Sequence, residues 1–146
     1  MSIAAHSPLG KPVAYASRYD PGLLFPIARA PNRAALGLGD ALPFHGVDIW
    51  NAYELAWLDA RGKPAIALAE FRIPATSPNM IESKSFKLYL NSYTQERIAD
   101  AQTLRERLVR DLSAATGADI AVALTLPQRF AELRFAPIAG MSIDEA

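Results

Sequence analysis

Glu82-Ser83-Lys84-Ser85-Phe86-Lys87-Leu88-Tyr89 lies near the middle of a 146-residue chain, just after Ser77-Pro78-Asn79, and its reading decides the fold. It packs a carboxylate, two hydroxyls and two ammonium groups into six residues and then turns apolar. Helical spacing orders this mixture. Ile81, Ser85, Leu88 and Tyr89 share one side of a helix, with Phe86 and Leu90 beside them, so the apolar members can face a core while Lys87 points outward. Glu82, Ser83 and Lys84 then occupy the first turn, where backbone N–H groups lack helical partners. Such a helix start suits a phosphate, and Lys84 adds positive charge beside it. The Glu82 carboxylate can accept two parallel hydrogen bonds, as the ring N–H and exocyclic amine of a guanine-like base would offer. The same spacing equally permits Glu82 and Lys84 as helix-end charges and Ser83 as a cap without ligand.

Upstream of the motif the period changes to two. Ile49, Trp50, Tyr53, Leu55 and Trp57 give 47–58 the bulk of a strand, and 65–73 resumes an apolar strand pattern. Asp59-Ala60-Arg61-Gly62-Lys63 between them reads as the turn of a long hairpin. On a regular strand Trp50 and Trp57, seven apart, fall on opposite faces, one in the core and one at an interface. Asp48 and Glu54 are six residues apart, about 20 Å along a strand, which excludes a cooperating carboxylate pair. His45 could serve acid–base chemistry and equally reads as structural.

Downstream, a motif helix over 81–92 is followed by a second over 104–115, where Leu104, Leu108 and Leu112 share a face. Thr103 and Glu106 have capping-box spacing, and Gly117 is placed to stop the helix. Residues 120–126 alternate as a strand, and 135–143 give a last, poorer one. The order strand, strand, helix, helix, strand, strand predicts an α+β domain with an antiparallel sheet and two helices on one face. Residues 1–40, broken by Pro8, Pro12, Pro21, Pro26 and Pro31, read as an extended arm before a domain spanning 41–146. Gly37-Leu38-Gly39 lacks the third glycine and the preceding strand of a phosphate loop and reads as a turn.

Composition narrows the chemistry. The hydrophobic fraction is 51% and the charged fraction 21%, values of a globular protein. Fifteen basic residues balance fifteen acidic ones, which argues against a nucleic-acid or anionic membrane surface as main partner. With no cysteine there is no disulfide, thiolate nucleophile or thiolate metal site. With only two histidines, His6 and His45, a multi-histidine zinc centre is excluded and no metal is expected. No apolar run is long enough to span a bilayer and no signal pattern opens the chain, so a cytoplasmic protein is expected.

The motif and its flanks carry a resemblance. Glu82 to Tyr89 is similar to the signature of the QueF family, the NADPH-dependent 7-cyano-7-deazaguanine reductases of queuosine biosynthesis. Leu42 to Trp50, Tyr53 to Leu58, Leu90-Asn91-Ser92 and Leu108 to Ser113 resemble the opening half of the two-module form of these enzymes. The likeness runs from about residue 36 to 144. It implies a tunnelling fold, whose units join edge to edge into barrels. It also implies reduction of a nitrile on a deazaguanine to a primary amine by NADPH, through a cysteine thioimide that makes the carbon more receptive to hydride. By the motif match, Ile81, Glu82 and Ser83 would contact the deazaguanine, and Ser83 and Lys84 would contact NADPH. The family's cysteine and aspartate lie in the second module, so no catalytic residue is expected in this chain. The expected partners are the small-molecule substrate, a C-terminal catalytic module and further copies in a homo-oligomer. Open beside this are a stand-alone half that pairs with a separately encoded one, a non-catalytic purine-binding or oligomerising module, and an enzyme of another tunnelling-fold family.

Overall fold

Two strands account for most of the sheet in the computed structural model, which describes residues 10–11, 16–39, 41–134 and 140–144. β2 (Val47–Leu58) and β3 (Pro64–Pro74) pair antiparallel from Val47 opposite Pro74 to Leu58 opposite Pro64. Their turn is built by Asp59, whose Oδ1 accepts from the Arg61 and Lys63 amides at 2.8 and 2.9 Å. Gly62 supplies the left-handed φ of 82° the turn requires. β5 (Ala121–Thr125) adds to the far side of β3, also antiparallel, giving the order β2-β3-β5.

Alternation assigns the faces of this sheet. Ala67, Ala69, Phe71 and Ile73 of β3 and Val122 of β5 are buried against α2 (Ser83–Asn91) and α3 (Ala101–Thr116). From the helices come Phe86 and Tyr89, and Leu104, Leu108 and Leu112 at the expected four-residue interval. Val47, Ile49, Tyr53 and Ile66, on the opposite face, are exposed. Both helices therefore lie on one face of an antiparallel sheet, an α+β arrangement.

β2 departs from the regular strand the sequence predicts. A register shift between Ala52 and Leu55 inserts a bulge at Tyr53 and Glu54. Even positions face the core before it and odd positions after it, so Trp50 and Trp57 turn to the same side rather than opposite ones. Trp57 is 4% exposed, and Trp50 packs edge-on to Phe86.

The element order also differs from expectation. The arm holds a 3-10 turn (Pro21–Leu23), strand β1 (Pro26–Ala28) and helix α1 (Ala30–Ala35), where irregular chain was read. β1 pairs with a further short strand, β4 (Asn79–Ile81), a partner too remote in sequence for local periodicity to reveal. Ile81 thus ends β4, and the motif helix begins at Ser83. α3 starts earlier than read because its cap is Asp100, whose carboxylate accepts from the Thr103 amide at 2.7 Å. Gly117 ends it as expected, at φ 73°. Of the predicted strand over 135–143, residues 135–139 lie outside the described ones, and 140–143 are not in a strand. Among the described residues no helix is long and apolar enough to cross a membrane.

Candidate functional site

The motif helix starts with a cap of unusual reach. Glu82 is extended at φ −68°, ψ 133°, and its side chain folds back over the first turn. Oε1 accepts from the Lys84 amide at 2.7 Å and Oε2 from the Ser85 amide at 2.8 Å, while the Ser83 hydroxyl donates to Oε1 at 3.3 Å. One carboxylate satisfies two of the four helix-start donors and neutralises the positive end of the helix. The open phosphate seat predicted there is therefore filled by the chain's own Glu82. At 4% exposure this carboxylate is packed beneath the surface, and Ile81 before it is fully buried.

The residues presented outward are Ser83 and Lys87, one turn apart on α2. With Asn91 they form one wall of a groove of about 500 Å³ between α2 and the bulged part of β2. Trp50, Leu55, Phe71, Phe86 and Leu90 give it an apolar lining, and Asn51 and Glu54 add polar groups from β2. The aromatic members are set edge to face, Trp50 to Phe86 at 5.6 Å and Phe71 to Phe86 at 5.0 Å. An apolar cleft with a few converging polar groups is the usual form of a small-molecule site.

Of the four residues singled out from the sequence, Ser83 alone lines this groove. Lys84 lies beside it, and its ammonium donates to the Lys11 carbonyl. Lys87, read as a solvated lysine, is a groove residue, and the four-residue step from Ser83 was the signal available for it. Glu54 and Trp50 reach the groove through the bulge, which no pattern in β2 announced. His45 is exposed and outside the groove, and Asp48 forms an ion pair with Arg29. Among the described residues no cluster of three or more His, Cys, Asp or Glu could hold a metal.

Behind the groove, the inner face of α2 is fixed by a second polar cluster. Asp111 of α3, 8% exposed, accepts from Tyr89 at 2.8 Å and from Tyr19 of the arm at 2.6 Å. The Tyr89 and Tyr93 hydroxyls share a hydrogen bond of 2.8 Å. Arg110 closes the set, through Nε to Asp111 Oδ1 at 2.9 Å and Nη2 to the Tyr19 hydroxyl at 2.8 Å. Burial is the main reason the phenols of Tyr89, Tyr93 and Tyr19 are all pushed above the usual tyrosine range, and the Asp111 charge adds to it. These hydroxyls are kept as neutral donors, a structural arrangement rather than an acid–base one.

The sequence that builds this geometry is shared with known proteins. A family model described as nitrile reductase, 7-cyano-7-deazaguanine-reductase N-term, matches residues 15–124. The NADPH-dependent 7-cyano-7-deazaguanine reductase of Bordetella pertussis is 63% identical over 141 residues, covering 97% of this chain and 52% of that protein. The enzyme of the same name from Chromobacterium violaceum is 61% identical over 141 residues, with 96% and 50% covered. That of Paraburkholderia phytofirmans is 56% identical over 138 residues, with 94% and 50% covered. The chain spans about half the length of these relatives. Matched over most of its length by that model, groove and capped motif helix included, the chain belongs to the family of N-terminal modules of the nitrile reductase 7-cyano-7-deazaguanine reductase.

Proposed function

We propose that the chain is the N-terminal half of an NADPH-dependent reductase that converts 7-cyano-7-deazaguanine to 7-aminomethyl-7-deazaguanine in queuosine biosynthesis. Its cysteine nucleophile and acidic proton donor come from a C-terminal module, since this chain contains no thiol. The observation that carries the reading is the placement of Ser83, a residue of the family motif, on the wall of the groove between α2 and β2. The donor set fits an anionic dinucleotide: the Ser83 hydroxyl with the Lys84 and Lys87 ammoniums for its phosphates, and an aromatic lining for a ring. Bound NADPH would supply hydride. Ser83 and Lys84 hold that cofactor, and Ile81, Glu82 and Ser83 face the deazaguanine.

Burial sets conditions on these roles. Ile81 contributes through its backbone, because its side chain is fully buried. Glu82 meets the base only by turning its carboxylate away from the Lys84 and Ser85 amides, exchanging two helix-cap hydrogen bonds for two to the ligand. The chain's own part in the reaction is to bind, orient and exclude water. The tunnelling fold, the division into an arm over 1–40 and a domain over 41–146, the cytoplasmic location and homo-oligomerisation belong to the same reading.

The test is NADPH oxidation with 7-cyano-7-deazaguanine, measured for the chain alone and mixed with the C-terminal half of a two-module relative. The mixture turns over, the chain alone does not, and Lys84→Ala removes the gain. Turnover by the chain alone would overturn the half-site reading.

A further inference from the structure

Two serine hydroxyls do the same job at opposite ends of α2, Ser85 in its first turn and Ser92 at its C-cap. Ser85 Oγ donates to the Glu82 carbonyl at 2.7 Å and accepts from the Phe25 amide at 3.0 Å. Ser92 Oγ, seven residues on and so on the same helix face, donates to the Tyr89 carbonyl at 2.6 Å and accepts from the Asp20 amide at 3.3 Å. Both are buried, at 0% and 1% exposure. Each therefore ties the arm to a carbonyl three residues back in the motif helix, and burial makes the loss of either bond costly.

The two ties differ in what they enclose. At Ser85 the arm makes a second bond, because the Phe25 carbonyl accepts from the Glu82 amide at 3.0 Å. Phe25 thus grips Glu82 by its N–H and, through Ser85 Oγ, by its carbonyl. Ser83 and Lys84 lie between Glu82 and Ser85, the two residues Phe25 holds. At Ser92 no such closed ring forms among the described contacts, and that serine is at the far end of α2, outside the groove lining.

We propose that Ser85 is a positioning residue, whose hydroxyl locks the arm onto the Glu82–Ser85 turn so that Ser83 and Lys84 are held toward the ligand. This rests on the cofactor-binding reading above. Ser85 touches no ligand itself; it acts through the geometry of the two residues before it. Ser92 supplies the matched control, since removing its hydroxyl costs an equivalent arm tie without opening the ring at the turn.

The experiment uses the chain assembled with the C-terminal half of a two-module relative. Ser85→Ala raises the KM for NADPH about tenfold with kcat little changed, as a misplaced contact pair predicts. Ser92→Ala lowers the melting temperature comparably and leaves KM within about twofold. Equal KM effects of the two variants, or a loss confined to kcat, would overturn the proposal. Ser83→Ala and Lys84→Ala separate the two readings: if neither changes KM, the cofactor reading itself fails, whatever Ser85 does. A second measurement needs no variant. Coupling is reciprocal, so saturating NADPH slows hydrogen exchange of the Phe25 amide in the wild-type assembly and leaves that of Asp20 unchanged. An unaltered Phe25 rate on binding also counts against the proposal.

Discussion

Glu82 shows how one side chain can be legible in identity while its spacing leaves its use open. The sequence singled it out, but its spacing fits a ligand-facing carboxylate and a helix cap alike. The structure commits both oxygens to the cap, because an extended backbone at that position turns the carboxylate back onto the Lys84 and Ser85 amides. Glu82→Ala therefore lowers stability by about 0.5–2 kcal/mol, the range for losing a helix cap, measurable by urea unfolding. The buried tyrosines give a pH signature. Their phenol pKa values are raised in the folded chain, so the stability they contribute is full below the unfolded value of about 10 and is lost as pH rises beyond it. Unfolding monitored between neutral and strongly alkaline pH shows this decline, and Tyr89→Phe makes it shallower while lowering stability near neutrality. Tyr89 and Tyr93 are four residues apart, but local periodicity did not foretell the cluster, since Tyr19 and Asp111 reach them only through the tertiary fold.

At the scale of elements, α2, α3 and the β2–β3 hairpin were readable because each carries its own period and punctuation. The Leu104, Leu108, Leu112 stripe, Gly62 in the turn and Gly117 after α3 are local signals. What escaped was set by partners elsewhere in the chain. β1 and β4 are three residues each and exist as strands by pairing with one another. The bulge in β2 is a mismatch with β3 and leaves no mark on β2 alone, yet it decides which residues face inward. Its energetic consequence can be checked. Trp57→Ala costs about 3–5 kcal/mol as a buried aromatic, whereas Tyr53→Ala, at 74% exposure on the bulge, stays within about 0.5 kcal/mol. Had the strand been regular, one of the two tryptophans would have lain on the outer face, away from the helices. Substitution of Trp50, which packs on Phe86 from the same side as Trp57, therefore destabilises as well.

For the whole molecule, the outer face of the sheet mixes exposed apolar side chains with polar ones. Val47, Ile49, Tyr53 and Ile66 are exposed there, interspersed with Asn51 and the ion pair of Arg72 and Glu70. The homo-oligomer proposed above predicts that the isolated chain, with no net charge to keep copies apart, self-associates in sedimentation velocity and that Ile49→Lys shifts it toward monomer. A monomeric wild type at high concentration would contradict this. The fold class was legible because a hairpin followed by two amphipathic helices leaves few architectures, whereas the groove was not, because its walls come from segments about thirty residues apart.

The ties between the arm and the motif helix also bear on the order of events during synthesis. The Phe25–Ser85, Asp20–Ser92 and Tyr19–Asp111 bonds join residues 60, 72 and 92 positions apart. The arm emerges from the ribosome before these partners and cannot make the bonds until the hairpin, the motif helix and α3 have followed it. Contacts this distant in sequence close late, because their loop entropy is offset only once the intervening chain is ordered. The turn that holds Ser83 and Lys84 thus takes its final shape late in folding, and the arm, made before its partners, docks after them.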